Sequence, residues 1–246
     1  MTIRLFKYTN IETGLKILEN RTLWLSNPDT FNDPFDCYEK LINFKITRLG
    51  IENYVNRNYF TLKKSERERK IKYFLNYGED LIEDLKRNIT ERKESMGVVC
   101  FSKIFDSILM WSHYSRNHTG VCLEFRFNLE NKDFFLYPVM YITDFIKTDY
   151  LSEPETSLLN WVLSKSVEWA YEKEVRAVSF IKNGFVNLPP NVIKGIYFGS
   201  KILSDDKKRL IETLLMNKID LTLYQMKLSD DRFKLIEVPI SPKLVK

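Results

Sequence analysis

The chain has 246 residues and a formal net charge of +5, and 44% of its residues are hydrophobic. This length supports one large domain with a substantial core, and the mild positive charge permits contact with nucleic acid without requiring it. Glycine occurs only eight times, and neither G-x-G-x-x-G nor G-x-x-x-x-G-K-[ST] is present. The composition therefore argues against doubly wound nucleotide folds that bind phosphate through such loops.

The first forty residues predict a strand, a helix, a second strand and a structured loop. The strands are expected over Ile3–Tyr8 and Thr22–Ser26, and the helix over Ile11–Asn20, capped by Thr9 or Asn10. The loop, from Asn27 to Asp36, is rich in proline, asparagine and aspartate, which favour turns.

Residues 39–96 differ from their surroundings in their density of charged side chains. Apolar residues recur there at helical spacing, which predicts two or three helices inserted into one domain that spans 1–246. The charged run Lys63–Lys72 is typical of a solvated helix face, although a surface for nucleic acid or a partner remains open.

The remaining chain predicts a mixture of strands and helices that do not alternate regularly, which favours an α+β fold. Helices are expected over Ser107–Ser115, Glu153–Lys173 and Asp206–Asn217, the last capped by Ser204 or Asp205. The predicted strands are Gly97–Ser102, Gly120–Phe127, Phe134–Ile142, Val175–Ile181, Val192–Phe198, Asp220–Lys227 and Phe233–Val238.

The N-terminus lacks the long apolar segment of a signal peptide, and no run approaches the roughly 18 apolar residues of a membrane span. We therefore expect a cytoplasmic protein without membrane contact. The three cysteines form no C-x-x-C pair, which favours reduced, buried thiols. A zinc site drawn from Cys100, His113, His118 and Cys122 matches no ligand spacing that we can justify, so we predict no metal.

Two segments carry the residues with the greatest chemical interest. The block Cys100–Phe125 contains both histidines of the chain and the run Trp111-Ser-His113-Tyr114. Further on, Glu172, Glu174 and Arg176 alternate where a helix is predicted to give way to a strand, so an extended backbone places them on one face. A salt-bridged strand edge and a site that stabilises a cationic transition state both fit this pattern.

Five distinctive motifs follow one another along the chain: LFKYTN, LWLSNPDTFNDPFDC, VVCFSKIFDSILMWSHYSRNHTGVCLEF, WAYEKEVRAV and IKGIYFGSKI. In this order they resemble the bacterial domain-of-unknown-function family 2971. The segment between the second and third motifs is the variable insertion. This resemblance supplies no function.

Three pairs of segments carry a second, more remote resemblance: Phe6–Thr9 followed by Lys16–Leu18, Cys100–Ser102 followed by Leu109–Trp111, and Glu174–Val178 followed by Pro189 and the strand from Ile193. In this order they resemble the DarT group of ADP-ribosyltransferases, which use NAD to modify DNA bases. The resemblance implies a split, mostly antiparallel sheet of the ADP-ribosyltransferase type. It places Glu174 in the catalytic position and makes NAD the substrate.

The residues that we predict to bind NAD or a related nucleotide are Lys7, Tyr8, Thr9, Asn32, Asp33, Ser102, Trp111, His113, Tyr114 and Arg176. Tyr8, Trp111 or Tyr114 would stack on nicotinamide. The chain departs from the DarT pattern at Lys7, where the relatives have histidine, and near Asp106, where they have arginine.

The expected function is NAD-dependent ADP-ribosyl transfer to nucleic acid or protein, as in a toxin or phage-defence effector. Two alternatives stay open. One is a non-catalytic module that binds a nucleotide or partner through the Asn32–Asp36 loop and the Trp111–Tyr114 segment. The other is a metal-dependent enzyme acting on nucleic acid through Asp33, Asp36, His113 and Glu174.

Overall fold

A computed structural model describes residues 2–128 and 133–241. The chain divides into two compact units. The first comprises Met1–Ser26, Gly97–Pro138 and Glu168–Lys246, and the second comprises Asn27–Met96 and Val139–Val167. The three helices within residues 39–96 belong to the second unit.

The secondary structure mixes strands and helices throughout. The strands are β1 (Thr2–Thr9), β2 (Thr22–Leu25), β3 (Ile42–Asn43), β4 (Gly97–Ser102), β5 (Val121–Asn128), β6 (Phe135–Pro138), β7 (Met140–Ile142), β8 (Thr148–Asp149), β9 (Ser164–Ser166), β10 (Glu174–Ser179), β11 (Gly184–Asn187), β12 (Ile193–Phe198), β13 (Thr222–Leu228) and β14 (Leu235–Ile240). The α-helices are α1 (Ile11–Asn20), α2 (Arg48–Asn58), α3 (Lys64–Asn76), α4 (Gly78–Ser95), α5 (Ile108–Tyr114), α6 (Pro154–Leu163) and α7 (Ser204–Met216).

The first unit is built on an eight-stranded sheet in the order β14-β13-β12-β5-β1-β4-β10-β6. Neighbouring strands are antiparallel except β12 and β13, which are parallel. The prediction of an α+β protein with a mostly antiparallel sheet is confirmed. One face of the sheet packs in the main core with α1 and α7, and α5 packs on the other face through Met110 and Trp111.

The second unit contains α2, α3, α4 and α6 together with two short parallel pairs of strands, β3 with β8 and β7 with β9. A small core joins α2 and α4 through Ile51, Val55, Leu81 and Leu85. In the described part of the chain, none of the helices combines the length and apolar character that a membrane span requires.

The predicted helix Glu153–Lys173 is wrong beyond its first half. Helix α6 ends at Leu163, and Ser164 adopts an extended conformation. Residues Ser164–Ser166 form β9, which pairs with β7, and a 3-10 helix over Val167–Glu172 follows. Pairing with a distant strand thus replaces helical hydrogen bonds that the local apolar spacing favours.

Two other predictions need correction, and one strand of the structure was missed. The predicted strand Phe134–Ile142 is divided at Val139 into β6 and β7, which pair with β10 and β9 respectively. Helix α7 begins at Ser204 without a side-chain cap, and Asp205 and Asp206 lie in its first turn, where the helix dipole favours acidic residues. The sequence also failed to predict β11, which begins at Gly184 with a φ of 92° and pairs with β2.

Candidate functional site

The residue pair Glu174 and Arg176 lies at the start of β10 in the first unit. The alternation of the strand sends Val175 and Ala177 into the main core and turns the two charged side chains to the other face. Both charged residues are buried, Glu174 at 3% exposure and Arg176 at 0%. The guanidinium Nε lies 2.9 Å from Oε1 of Glu174, and Nη2 lies 3.4 Å from Oε2. The geometry is that of a buried, nearly bidentate ion pair.

Sheet register brings Ser102 and Phe6 into line with Glu174. Ser102 on β4 is the register partner of Glu174 on one side and of Phe6 on the other. β1 and β4 are registered only at this Phe6–Ser102 pair, whereas β1 pairs with β5 at eight positions. Close beside this junction, the Lys7 ammonium donates a hydrogen bond to the carbonyl of Cys100 at 3.4 Å.

The environment of this junction changes the protonation of two of its groups. Burial lowers the pKa of the Lys7 ammonium, although the neighbouring Cys100 and Glu174 partly oppose that shift. Burial also raises the pKa of the Cys100 thiol well above its ordinary value, and the negative charge of Glu174 adds to this effect. The thiol is therefore held in its neutral form and is a poor nucleophile at neutral pH.

Replacing Lys7 by methionine is expected to stabilise the protein at pH 7, because the folded state then no longer holds a poorly hydrated ammonium. Since the folded-state pKa of Lys7 lies below its unfolded value of 10.5, wild-type protein pays this penalty in full below the folded pKa. The penalty disappears as the pH rises to 10.5. Urea unfolding of both proteins at several pH values from 7 to 10.5 should show a difference in the free energy of unfolding that shrinks as the pH rises. A difference independent of pH would contradict a lowered pKa for Lys7.

Helix α5 lies on the same face of the sheet as Glu174 and contacts the 3-10 helix that immediately precedes β10. The Tyr114 hydroxyl donates a hydrogen bond of 2.6 Å to Oε1 of Glu172. The Ser102 hydroxyl donates one, also of 2.6 Å, to the backbone carbonyl of Glu172. Two predicted site residues, Ser102 and Tyr114, therefore hold the residue two positions before Glu174.

Replacing Tyr114 by phenylalanine is expected to lower the free energy of unfolding by about 1.5–3 kcal/mol, the range for a hydrogen bond to a charged group. Chemical denaturation measures this directly. The matched control is Tyr73→Phe, since Tyr73 is 54% exposed, and its effect should stay within about 0.5 kcal/mol. Equal effects of the two substitutions would show that the Tyr114–Glu172 bond does not stabilise the site.

The other aromatic residues predicted to contact nicotinamide are buried in the first unit. Trp111 has 0% exposure, and its indole N–H donates to the carbonyl of Phe105 at 2.7 Å. Tyr8 packs edge-on against Trp111 and donates its hydroxyl to the carbonyl of Ile104. Thr9 is buried as well, and its carbonyl accepts a hydrogen bond from Ser115. Tyr114 is only half-buried, so its ring is the most accessible of the three.

The two histidines occupy different environments. His113 is exposed, with its ring 6.3 Å from the rings of Tyr114 and Tyr171. His118 is buried, with Nε2 at 3.2 Å from the Ser112 hydroxyl, and burial lowers its pKa. Its contacts are those of a structural residue.

Asn32 and Asp33 belong to the second unit. Asn32 is exposed, whereas Asp33 is buried and accepts a hydrogen bond from the backbone N–H of Phe35 at Oδ1. Its Oδ2 atom is buried without a hydrogen-bond donor among the described residues. Their predicted contact with a nucleotide stays a prediction.

Sequence reasoning missed the importance of two buried carboxylates. The sequence indicates only that Glu172 alternates with Glu174, because its partner Tyr114 lies 58 residues away. Glu124 on β5 accepts hydrogen bonds from Arg4, Tyr197 and Arg126. Burial acts to raise the pKa of Glu124, but these bonds outweigh it and lower the pKa. The sequence does contain a signal for Glu124, since this glutamate lies inside the otherwise apolar run VCLEF.

Comparison with known proteins identifies one family match. Residues 110–177 match the family model described as "Protein of unknown function (DUF2971)". The match covers less than a third of the chain, from the first half of α5 to the middle of β10, and includes Trp111, Tyr114, Glu174 and Arg176. It supports the resemblance to that family. No curated protein and no solved structure matches the chain. In the described residues, no three histidine, cysteine, aspartate or glutamate side chains cluster in a way that could hold a metal ion.

Proposed function

We propose that the protein is an NAD-dependent, DarT-like ADP-ribosyltransferase with Glu174 as its catalytic residue. The observation that carries this proposal is the buried Glu174–Arg176 pair at the start of β10, in register with Ser102 and beside Lys7. These four predicted site residues come from three adjacent strands of one sheet. Carboxylates so deeply buried are rare in proteins unless they are paired or functional.

The chemistry of NAD cleavage suits a fixed carboxylate. As the glycosidic bond breaks, nicotinamide leaves with the bonding electron pair, and positive charge develops on the ribose. A carboxylate that accepts a hydrogen bond from a ribose hydroxyl and lies near that charge stabilises the transition state electrostatically. Arg176 fixes the orientation of the Glu174 carboxylate through two contacts, which provides the preorganisation that such stabilisation requires.

Lys7 and Tyr114 have complementary roles in this proposal. The lysine stands where the DarT group has histidine, and its ammonium would contact a phosphate or ribose hydroxyl of NAD. The partly exposed ring of Tyr114 would stack on nicotinamide. The acceptor would be nucleic acid or protein in the cytoplasm of a bacterial cell, where the modification would serve a toxin or a phage-defence effector.

A second candidate is a non-catalytic module that binds a nucleotide. The full burial of Arg176 against Glu174 favours it, because an ion pair closed in this way also fits a purely structural role. Binding of NAD without any turnover would support this candidate.

Incubation with NAD labelled in its adenylate phosphate, together with single-stranded DNA, RNA or cell lysate, tests the proposal. Wild-type protein is expected to transfer label to one acceptor class, and Glu174→Gln protein should transfer none. The matched control is Glu124→Gln, since Glu124 is another buried glutamate on the same sheet. Label that appears equally with all three proteins, or with none, would contradict the proposal.

A further inference from the structure

Helix α3 of the second unit presents an exposed face that the proposed function does not use. No residue from Lys64 to Asn76 is buried, and the apolar side chains on one side of the helix pack only partly against the small core of this unit. The opposite side is exposed and consists of Arg69, Lys72, Tyr73, Asn76 and Tyr77. Spacings of three and four residues place these five side by side over two helical turns, and together they form the outer face of α3.

Two large aromatic rings are accessible on this outer face. Tyr73 is 54% exposed and Tyr77 is 63% exposed, and their ring centroids lie 5.4 Å apart. Each ring thus supports the other and still leaves much of its surface in contact with water. A planar ligand that covers this surface gains both hydrophobic burial and favourable ring stacking.

The charge of the outer face is positive and is not neutralised by the described residues. Neither Arg69 nor Lys72 forms an ion pair with a described carboxylate. Glu66 borders the face at its N-terminal end, but its carboxylate accepts a hydrogen bond of 2.9 Å from the backbone N–H of Lys63 and caps the helix. The two cations therefore attract an anion toward the exposed tyrosines.

The positive charge continues into a groove between α2 and α3 with a volume of about 480 Å³. Lys72 belongs to both surfaces, so the groove adjoins the outer face. The charged residues of the groove are four cations and two carboxylates, namely Arg48, Lys64, Arg67, Lys72, Glu52 and Glu68. The excess of cations extends along α3, which suits a linear polyanion better than a single anion.

Exposed tyrosines beside unpaired cations suit a single strand of nucleic acid better than other anionic partners. Each base of a single strand offers a flat face for stacking, and each phosphate carries a negative charge. The outer face extends about 12 Å from Arg69 to Tyr77, the length of three or four nucleotides at about 3.4 Å each. It contains no aliphatic side chain that would enter an anionic membrane.

We propose that the outer face of α3 binds single-stranded nucleic acid. Tyr73 and Tyr77 stack on bases, and Arg69 and Lys72 contact the neighbouring phosphates. The inference goes beyond the proposed function and rests on the second unit alone. Binding is measured without NAD, so its outcome is independent of the reaction proposed for Glu174.

Fluorescence anisotropy of the full chain with labelled oligothymidylate and oligouridylate, at several salt concentrations, tests the proposal. Tyr73→Ala should weaken binding at least about fivefold, the loss of one stacked base, whereas Tyr73→Phe should keep the wild-type affinity because the ring remains. Binding of either oligonucleotide supports the proposal, and the tighter of the two shows whether the strand is DNA or RNA.

The double variant Arg69→Gln, Lys72→Gln tests the phosphate contacts separately. The slope of log K against log salt concentration should become shallower by about 1.4, since each phosphate contact of a single strand contributes about 0.7. The matched control is Lys86→Gln with Arg87→Gln on α4, which removes the same two charges from cations that pair with Glu83 and Asp84. The slope for this control should remain that of the wild type.

Three results would overturn the proposal. They are absence of binding to both oligonucleotides at low salt, unchanged binding to Tyr73→Ala protein, and equal changes of slope in the two double variants. Binding to phosphatidylserine vesicles without binding to either oligonucleotide would show that the outer face contacts a membrane instead. If Tyr73→Ala fails to fold, the comparison of the two double variants still decides the question.

Discussion

Replacing Arg176 by methionine is expected to lower the free energy of unfolding by about 3–5 kcal/mol, the usual effect of removing one partner of a buried ion pair. Methionine has similar length and fills the space of the arginine stem, so lost packing contributes little. Most of the loss in the free energy of unfolding comes from the Glu174 carboxylate. It would stay buried, at 3% exposure, after removal of the guanidinium that lies 2.9 Å away. The midpoint of urea unfolding measures the effect.

The control for this substitution is Arg126→Met. Arg126 also contacts a buried glutamate, Glu124, but its own side chain is 54% exposed, and Glu124 keeps its bond to Arg4. Arg126→Met is expected to lower the free energy of unfolding by less than about 1 kcal/mol, as for exposed ion pairs. If the two substitutions lowered the free energy of unfolding by similar amounts, burial would not be the reason why the Glu174–Arg176 pair stabilises the protein.

Replacing Glu174 by glutamine is expected to reduce the rate of nicotinamide release by at least about 100-fold, the scale of losing one preorganised electrostatic contact in a transition state. Glutamine keeps the shape of the side chain but removes its negative charge. It also leaves Arg176 without its carboxylate partner, so stability must be measured in parallel.

Glu174→Asp separates catalysis from folding. Aspartate keeps the charge that pairs with Arg176, and the shorter side chain withdraws the carboxylate by one methylene from where a ribose would lie. A misplacement of about 1 Å can reduce a rate about 100-fold, so the variant should fold and yet be slow. Full activity in a folded Glu174→Asp or Glu174→Gln protein would exclude Glu174 as the catalytic group.

The first strand and helix could be predicted closely because their signals are local. The apolar residues of Ile11–Asn20 repeat at helical spacing, and the Asn10 side chain accepts a hydrogen bond from Thr13 N–H as its cap. The end of α6 could not be predicted, because β9 exists through its pairing with β7, over 20 residues earlier in the chain. Local spacing contains no information about such a partner.

The candidate site shows the same division between local and distant information. The alternation of Glu174 and Arg176 along a strand could be read from the sequence, and their direct ion pair follows from it. Three other features of the site join residues that lie far apart in the chain. They are the register of Glu174 with Ser102, the contact of Lys7 with Cys100 and the hydrogen bond from Tyr114 to Glu172. Only the folded sheet determines them.

Glu174 should contact the nicotinamide ribose of NAD, and a crystal structure of Glu174→Asp protein with bound NAD would show where that ribose lies. NAD should bind on the sheet face that carries residues 102, 174 and 176. Because aspartate is one methylene shorter than glutamate, a ribose hydroxyl should reach the residue 174 carboxylate through one bridging water. A structure in which NAD binds away from residue 174, or does not bind at saturating concentration, would contradict this role of Glu174.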